Sequence, residues 1–330
     1  MSKKIECLII GTSLTEASDA VVRGGMKLAR SAGAKVHLAH AYSTPMTYTG
    51  SPFLPEVPTG EVLKAERAAL QRKLDSQIER LGIERGELAG VHLDSGPAHR
   101  LLIETAQQVG ADLLVVGATE APRLARVFGS TADRVVRKAT CPVLVLRGEL
   151  PVPPRRVLLP VDLSPLSTEA FEIGLGLLAQ IAPAAGPERV PEVEAFFVEL
   201  EPETRVIAPE AAKERAPLDL LAPIAPITPI ADSELRRFVT VHSTAAAAVT
   251  SLPVAVRVES GFVDSAILDR IEQWGPDLVI LGTHGRGGFE RFLLGSVAAT
   301  VVRDGWTNVL VIPPRAARMA AAPAEAHAAA

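Results

Sequence analysis

Short apolar runs alternate with longer amphipathic stretches along this chain, and the whole alternation occurs twice. In the first round, Cys7–Ile10 predicts a strand. A helical pattern over Glu16–Ser31 follows, ended by Gly33, and Val36–His40 predicts the second strand. A Pro/Gly/Thr-rich loop over Ser43–Gly60 leads into a charged helical stretch, Glu61–Leu81, that stops at Gly82. Leu88–Leu93, Leu113–Val116 and Pro142–Leu146 predict three more strands. Helices run from Pro97 to about Val109 and open at Gly129-Ser130. The second round predicts strands near Val157–Val161, Val193–Val198, Val254–Val258, Leu278–Leu281 and Val309–Ile312, with helices near Ser167–Ile181, Ser233–Val249, Val263–Trp274 and Ser296–Arg303. Apolar strands without strict alternation belong to a parallel sheet covered on both faces, so each round predicts an α/β domain.

The two rounds are copies. Asp112-Leu-Leu-Val-Val-Gly117 matches Asp277-Leu-Val-Ile-Leu-Gly282 at an offset of 277 − 112 = 165, and Asp94-Ser-Gly96 matches Glu259-Ser-Gly261 at the same offset. Gly129-Ser130 matches Gly295-Ser296 at 166. Ile10–Ser18 matches Leu159–Ser167 at 149, so the second copy carries 165 − 149 = 16 extra residues between its first and third strands. The domains are residues 1–150 and 151–314, joined at the Pro-rich linker Leu150-Pro-Val-Pro-Pro154. Residues 199–230 form a Pro-rich insert that cannot hold one continuous helix, and the Ala-rich residues 315–330 form a flexible tail.

Composition narrows the function. At roughly 100–200 residues per domain, 330 residues fit two domains. A net charge of −4 gives no nucleic-acid footprint, and 4% aromatic residues offer little for base stacking. Cys7 and Cys141 lie in or beside apolar strands and read as buried thiols rather than a disulfide. The first apolar run is too short for a signal peptide, and no stretch approaches the roughly 20 apolar residues of a membrane helix, so a cytoplasmic location is expected, with no membrane partner.

The chemistry concentrates after the fourth strand of the second copy, in Gly282-Thr-His-Gly285-Arg-Gly287-Gly288-Phe-Glu-Arg-Phe-Leu-Leu-Gly295-Ser296, a G-x2-G-x9-G-S pattern. Gly282 and Gly285 let the backbone turn tightly beside a ligand, and successive N–H groups then form an anion-binding concavity. Gly295-Ser296 opens a helix whose first N–H groups and positive dipole end attract phosphate. The Ser296 hydroxyl and Arg286 add a donor and a charge. Ligands of open α/β sheets sit beyond the carboxyl ends of the strands, where this loop lies.

This spacing, with a first strand ending Leu159-Pro-Val-Asp162, resembles the universal stress protein family, in its ATP-binding subgroup and in tandem form, over about residues 4–314. The resemblance implies two adenine-nucleotide α-hydrolase-like domains, each a five-stranded parallel sheet with helices on both faces. It implies adenine and ribose near Asp162, with Pro160 and Val161, and base contacts from backbone about Val198. Phosphates would lie on Gly282, Thr283, His284, Gly285, Arg286, Gly287, Gly295, Ser296 and Val297, often with Mg²⁺. It also implies a pairing of last strands, here Pro142–Leu146 against Val309–Ile312 within one chain, as an intrachain pseudo-dimer. Pairing of two chains into a homodimer, and the protein partners, stay open.

The first copy departs from this pattern. Gly117-Ala-Thr-Glu120 puts Glu120 where the second glycine belongs, the stretch before Gly129 is one residue shorter, Pro122 removes an N–H, and Ser13 replaces Asp162. A carboxylate about 4 Å from a phosphate costs roughly 1 kcal/mol in water and several times that near a protein surface. The expectation is one nucleotide site per chain.

Blander readings stand beside these. Asp162 could cap the helix beginning near Ser167, and His284 and Arg286 could face solvent. Gly174-Leu-Gly176-Leu-Leu-Ala179 fits a dinucleotide fingerprint on paper but sits inside a helix, where small residues mark close packing. His37 and His40, three apart on a strand, point to opposite faces. His92 and His99 straddle a turn and read as unrelated, and no Cys/His spacing suits zinc. The leading function is an ATP-binding regulatory protein of the stress response that hydrolyses nucleotide weakly at most. The rivals are a ligand-free scaffold and a slow ATP-hydrolysing or adenylate-forming enzyme.

Overall fold

The computed structural model describes residues 4–42, 60–118, 129–182, 190–199, 230–246, 252–283 and 294–314. Most of the Pro-rich insert, the tail, His284–Gly287 of the glycine loop, and Glu120 and Pro122 lie outside the described residues.

The first half runs β1 (Cys7–Gly11), α1 (Asp19–Ala32), β2 (Lys35–Tyr42), α2 (Gly60–Arg80), β3 (Leu88–Ser95), α3 (Ala98–Val109), β4 (Leu113–Gly117), α4 (Ser130–Lys138) and β5 (Val143–Leu146). The second repeats it as β6 (Arg156–Pro160), α5 (Pro165–Ile181), β7 (Glu192–Glu199), α6 (Ile230–Ala246), β8 (Val254–Ser260), α7 (Val263–Trp274), β9 (Leu278–Gly282), α8 (Ser296–Asp304) and β10 (Asn308–Ile312). The predicted helix over Glu16–Ser31 starts later than expected. Glu16–Ser18 is a 3-10 turn, α1 begins at Asp19, and Gly33 ends it in the left-handed conformation at φ 68°.

The ten strands form one sheet in the order β3-β2-β1-β4-β5-β10-β9-β6-β7-β8. Pairing is parallel within each half, and the halves join through the antiparallel pair β5–β10, where Val143, Leu144 and Val145 face Val311, Leu310 and Val309. The two last strands thus pair inside one chain, as expected, and neither is left as an open edge. Helices α1, α2, α5 and α6 cover one core and α3, α4, α7 and α8 the other; both cores run unbroken across the seam.

Polar contacts secure the seam on both sides. Gln180 of α5 accepts from Ile5 N at 2.9 Å and donates to Ile5 O and Ala32 O. Arg147, just beyond β5, donates to the α8 carbonyls of Val302 and Arg303 at 2.6 and 2.7 Å, and Asn308 Oδ1 accepts from Arg147 N. A cation on the last carbonyls of a helix satisfies acceptors that have no partner within the helix and opposes the negative dipole end. Burial lowers the pKa of this guanidinium.

Strand register refines the repeat. Leu8 pairs with Val36 and Leu113, while Val157 pairs with Val193 and Leu278. The offsets are therefore 157 − 8 = 149, 193 − 36 = 157 and 278 − 113 = 165. Only eight of the sixteen added residues lie beyond the second strand; the other eight precede it. The repeated aspartates are structural. Asp112 accepts from Glu6 N and Cys7 N, and Asp277 from Arg155 N and Arg156 N, so each ties the start of the fourth strand to the start of the first. Gly174 is a packing glycine, because a Cβ there would lie 3.0 Å from Ile280; its copy Gly25 meets Ile10 in the same way. Cys7 is half-buried, Cys141 is buried, and no disulfide joins them.

Candidate functional site

The matched row Val157, Val193 and Leu278 runs across three neighbouring strands. Five residues further along each strand come Asp162, Val198 and Thr283. Three residues separated widely in sequence therefore leave the carboxyl end of the sheet level with one another, on strands about 4.8 Å apart. Pro160 is the last residue of β6. Val161, predicted as strand, lies just past it, yet its N–H still bonds Phe196 O at 2.9 Å. Val198 lies within β7, and Phe196, two residues before it, turns its carbonyl toward β6. Backbone groups alternate sides along a strand, so those of Val198 point the same way, beyond the end of β6.

Asp162 does not cap the following helix. Ser164 is the N-cap, accepting from Ser167 N at 3.2 Å with Pro165 in the first turn, while Asp162 Oδ1 accepts from Ser164 N at 3.0 Å. The aspartate thus fixes the turn that leaves β6. Between them Leu163 adopts φ 62°, and its copy Leu14 adopts φ 59°. A leucine in the left-handed region costs roughly 1–2 kcal/mol, and both halves hold one at the same place.

The glycine loop has a defined neck. Thr283 N donates to Ile312 O, and Gly295 N donates to Thr283 O at 2.7 Å, closing the span from 283 to 295. Gly295 caps α8 without a side-chain bond, and Ser296 and Val297 occupy the first turn, where helical N–H groups lack intrahelical acceptors. Gly282 ends β9 beside this neck. Among the sequence-predicted residues, Pro160, Val161, Asp162, Val198, Gly282, Thr283, Gly295, Ser296 and Val297 gather at one end of β6, β7 and β9; His284, Gly285, Arg286 and Gly287 fall outside the described residues. Among the described residues, no three or more His, Cys, Asp or Glu side chains group as a metal site.

The first half repeats the neck: Ala118 N bonds Leu146 O, and Gly129 N bonds Ala118 O at 2.8 Å. Its span is 129 − 118 = 11 residues against 295 − 283 = 12. The turn after β1 differs more. The Ser13 hydroxyl lies 2.8 Å from that of Thr15. Thr12 is held from two directions, its carbonyl by His40 Nδ1 at 2.8 Å and its hydroxyl by Gln77 Oε1 at 2.8 Å. Gln77 of α2 is fully buried and also donates to Ser18 Oγ and Asp19 Oδ1, while Arg80 makes a two-point pair with Asp19 at 2.7 and 2.9 Å. That pairing with Arg80 holds the Asp19 carboxyl below its usual range. The sequence reading missed this brace, although Gln77 stands on the apolar stripe of Leu70 and Leu74, where a polar residue signals a buried partner.

Among the described residues no helix is long and apolar enough to cross a membrane. Comparison with known proteins matches the model described as "Universal stress protein family" to residues 5–147 and again to 154–313. A universal stress protein of Mycolicibacterium smegmatis (strain ATCC 700084 / mc(2)155) is 26% identical over 330 residues, covering 93% of this chain and 97% of its own. One from Thermus aquaticus is 32% identical over 126 residues, covering 36% of this chain and 82% of its own. Among solved structures, a universal stress protein from Archaeoglobus fulgidus DSM 4304 aligns with a TM-score of 0.60 at 17% identity, covering 93% of this chain and 98% of that one. A protein of Pseudomonas aeruginosa PAO1 described as functionally unknown aligns at 0.61 and 13%, covering 96% and 95%. At such identities the structures speak to the fold.

Proposed function

The chain belongs to the universal stress protein family in both of its halves, and from that premise we propose that it binds one adenine nucleotide, ATP, in the second half and that occupancy of this site serves a regulatory role in the stress response. The observation that carries the reading is the level row of Asp162, Val198 and Thr283 beside the α8 N-terminus. The residues there suit the ligand. Strand-end backbone beside Val198 suits a base edge, the Asp162 carboxylate suits ribose hydroxyls, and the first-turn N–H groups of Ser296 and Val297 suit phosphate, while the Gly295 N–H is taken by Thr283 O. Thr283, His284, Gly285, Arg286 and Gly287 would line the phosphates between. Mg²⁺ would be carried chiefly by the phosphate oxygens. ATP supplies a polyanion to be held, and glycine backbone with helix-end N–H groups is suited to holding it rather than to cutting it.

The first half, with Ser13 and Glu120 in place of aspartate and glycine, is read as support. Calorimetric titration of the full chain with ATP tests this directly. One site per chain with micromolar affinity is expected. No binding, or two equal sites, would overturn it.

A further inference from the structure

Two histidines outside the nucleotide row face each other on the outer strands of the first half. His37 Nδ1 of β2 lies 3.0 Å from His92 Nε2 of the edge strand β3, with ring centroids 5.2 Å apart. Local structure makes the meeting possible. Register shifts between Val36 and His37, which brings Gly90 opposite His37 and His92 opposite Ala39. A Cβ on residue 90 would stand 2.7 Å from His37 Nδ1 and 3.3 Å from His92 Nε2, so the glycine leaves the space the two rings use. Both histidines are only half-buried, within reach of water and small ions. The fold does not demand the pair. Offsets of 157 and 165 place Glu194 and Arg257 at these positions in the second half, where Glu194 instead pairs with Arg270 at 2.8 and 2.6 Å.

We propose that His37 and His92 form a two-nitrogen chelate for a divalent first-row transition ion, Cu²⁺ ahead of Zn²⁺. Metal–imidazole bonds of about 2.0–2.1 Å put two ligand nitrogens roughly 2.9 Å apart at a right angle and about 3.3 Å apart at a tetrahedral one. The 3.0 Å separation falls between these values. Copper leads because divalent affinity for imidazole peaks there. The neutral ring is the ligand. Burial lowers the pKa of His92, and burial, the neighbouring ring and Lys35 lower that of His37. The Lys35 charge also opposes a cation, but it is exposed and screened. Without metal, one ring donates its N–H to the other; on binding, that ring shifts its proton to its second nitrogen and both facing lone pairs turn to the ion. Water fills the remaining positions, so the ion exchanges readily.

Tag-free full-length chain titrated with Cu²⁺, followed by calorimetry and electron paramagnetic resonance, tests the proposal. The expected result is one Cu²⁺ per chain with splitting from two nitrogens. His37→Gln and His92→Gln should each weaken binding at least about tenfold and lose one nitrogen from the spectrum. Gly90→Ala keeps both rings yet crowds His37, and should weaken binding too, which guards against a histidine variant that fails to fold. Absence of Cu²⁺ binding, wild-type affinity in the folded single variants, or a two-nitrogen signal surviving in the double variant would overturn it.

Discussion

The turn after the first strand is built twice in this molecule, and the two versions are held by different means. In the second half, Asp162, Ser164 and Ser167 bond within their own segment. In the first half, Thr12 is gripped by His40 from β2 and by Gln77 from α2, and Asp19 is gripped by Gln77 and Arg80. Val161 and Phe197 stand where Thr12 and His40 stand, and neither side chain can make such a bond. The shared leucine at positive φ shows that the backbone course is common to both. What separates the copies is the set of groups turned toward that course: one leaves a carboxylate beside the neck, the other knits the same place into the protein.

The strongest way to break this comparison is at the loops. A bulky residue at Gly285 is expected to abolish ATP binding, a loss of at least about 100-fold or 2.7 kcal/mol, while the same residue at Glu120 leaves binding unchanged. Titration calorimetry on both variants decides it. Weakened binding in the Glu120 variant would make the first half a participant rather than a support. Next in size is the brace. Gln77→Ala strands buried partners on Thr12, Ser18 and Asp19 and should destabilise by about 2–4 kcal/mol. An offset of 165 carried onto α2 matches buried Leu70 with Leu235 and Leu74 with Val239, and so sets His242 at the place of Gln77, where it pairs with Glu172 at 2.8 Å near the surface. His242→Ala should cost about 1 kcal/mol or less. Chemical denaturation that finds equal losses would show that the brace is no stronger than a surface pair.

These outcomes bear on what the sequence made readable. The strands and the order of elements follow from apolar runs and the repeat, because each states a local or periodic constraint, whereas the joining of β5 to β10 comes from the family resemblance and from no pattern within the chain. The level row of Asp162, Val198 and Thr283 rests on strand register, which the structure supplies; Asp162 and Val198 themselves are implied by the resemblance. The brace does not, because Thr12, Gln77 and Arg80 are brought together only by tertiary packing; a single polar residue on an apolar helix stripe was its one trace. The His37–His92 meeting was hidden for a sharper reason. It depends on a register shift at Val36/His37, and pattern reading assumes that register runs on unbroken. The alternative reading of Asp162 as a helix cap fails for a local cause: Asp162 and Ser164 are both good caps, and with the left-handed Leu163 between them it is Ser164 that meets the helix.

Acid sharpens the comparison at smaller amplitude. The folded-state pKa of Asp19 is depressed, first by its bond to Arg80. Its contribution is therefore present above the ordinary carboxylate value and is lost as pH falls below about 4. Asp19→Asn should lower stability at neutral pH and flatten its decline between about pH 4 and 2. Melting temperatures across pH check both; identical slopes in wild type and Asp19→Asn would remove Asp19 from the account.

The smallest effect tests the feature the halves share. Asparagine enters the left-handed region more easily than leucine, so replacing either leucine relieves part of a strain of roughly 1–2 kcal/mol. Leu14 is 7% exposed, whereas Leu163 is half-buried, so the same substitution removes more apolar burial from the first half. Full burial of a leucine is worth about 1.5–3 kcal/mol. Leu14→Asn should therefore destabilise by about 1 kcal/mol or more, and Leu163→Asn should stay within about 0.5 kcal/mol of wild type. Denaturation midpoints measure both. If Leu163→Asn leaves stability alone but weakens ATP binding several-fold, the strained turn is kept for the aim of Asp162; if it changes neither, the turn's course tolerates either residue and the difference between the halves rests on their side chains.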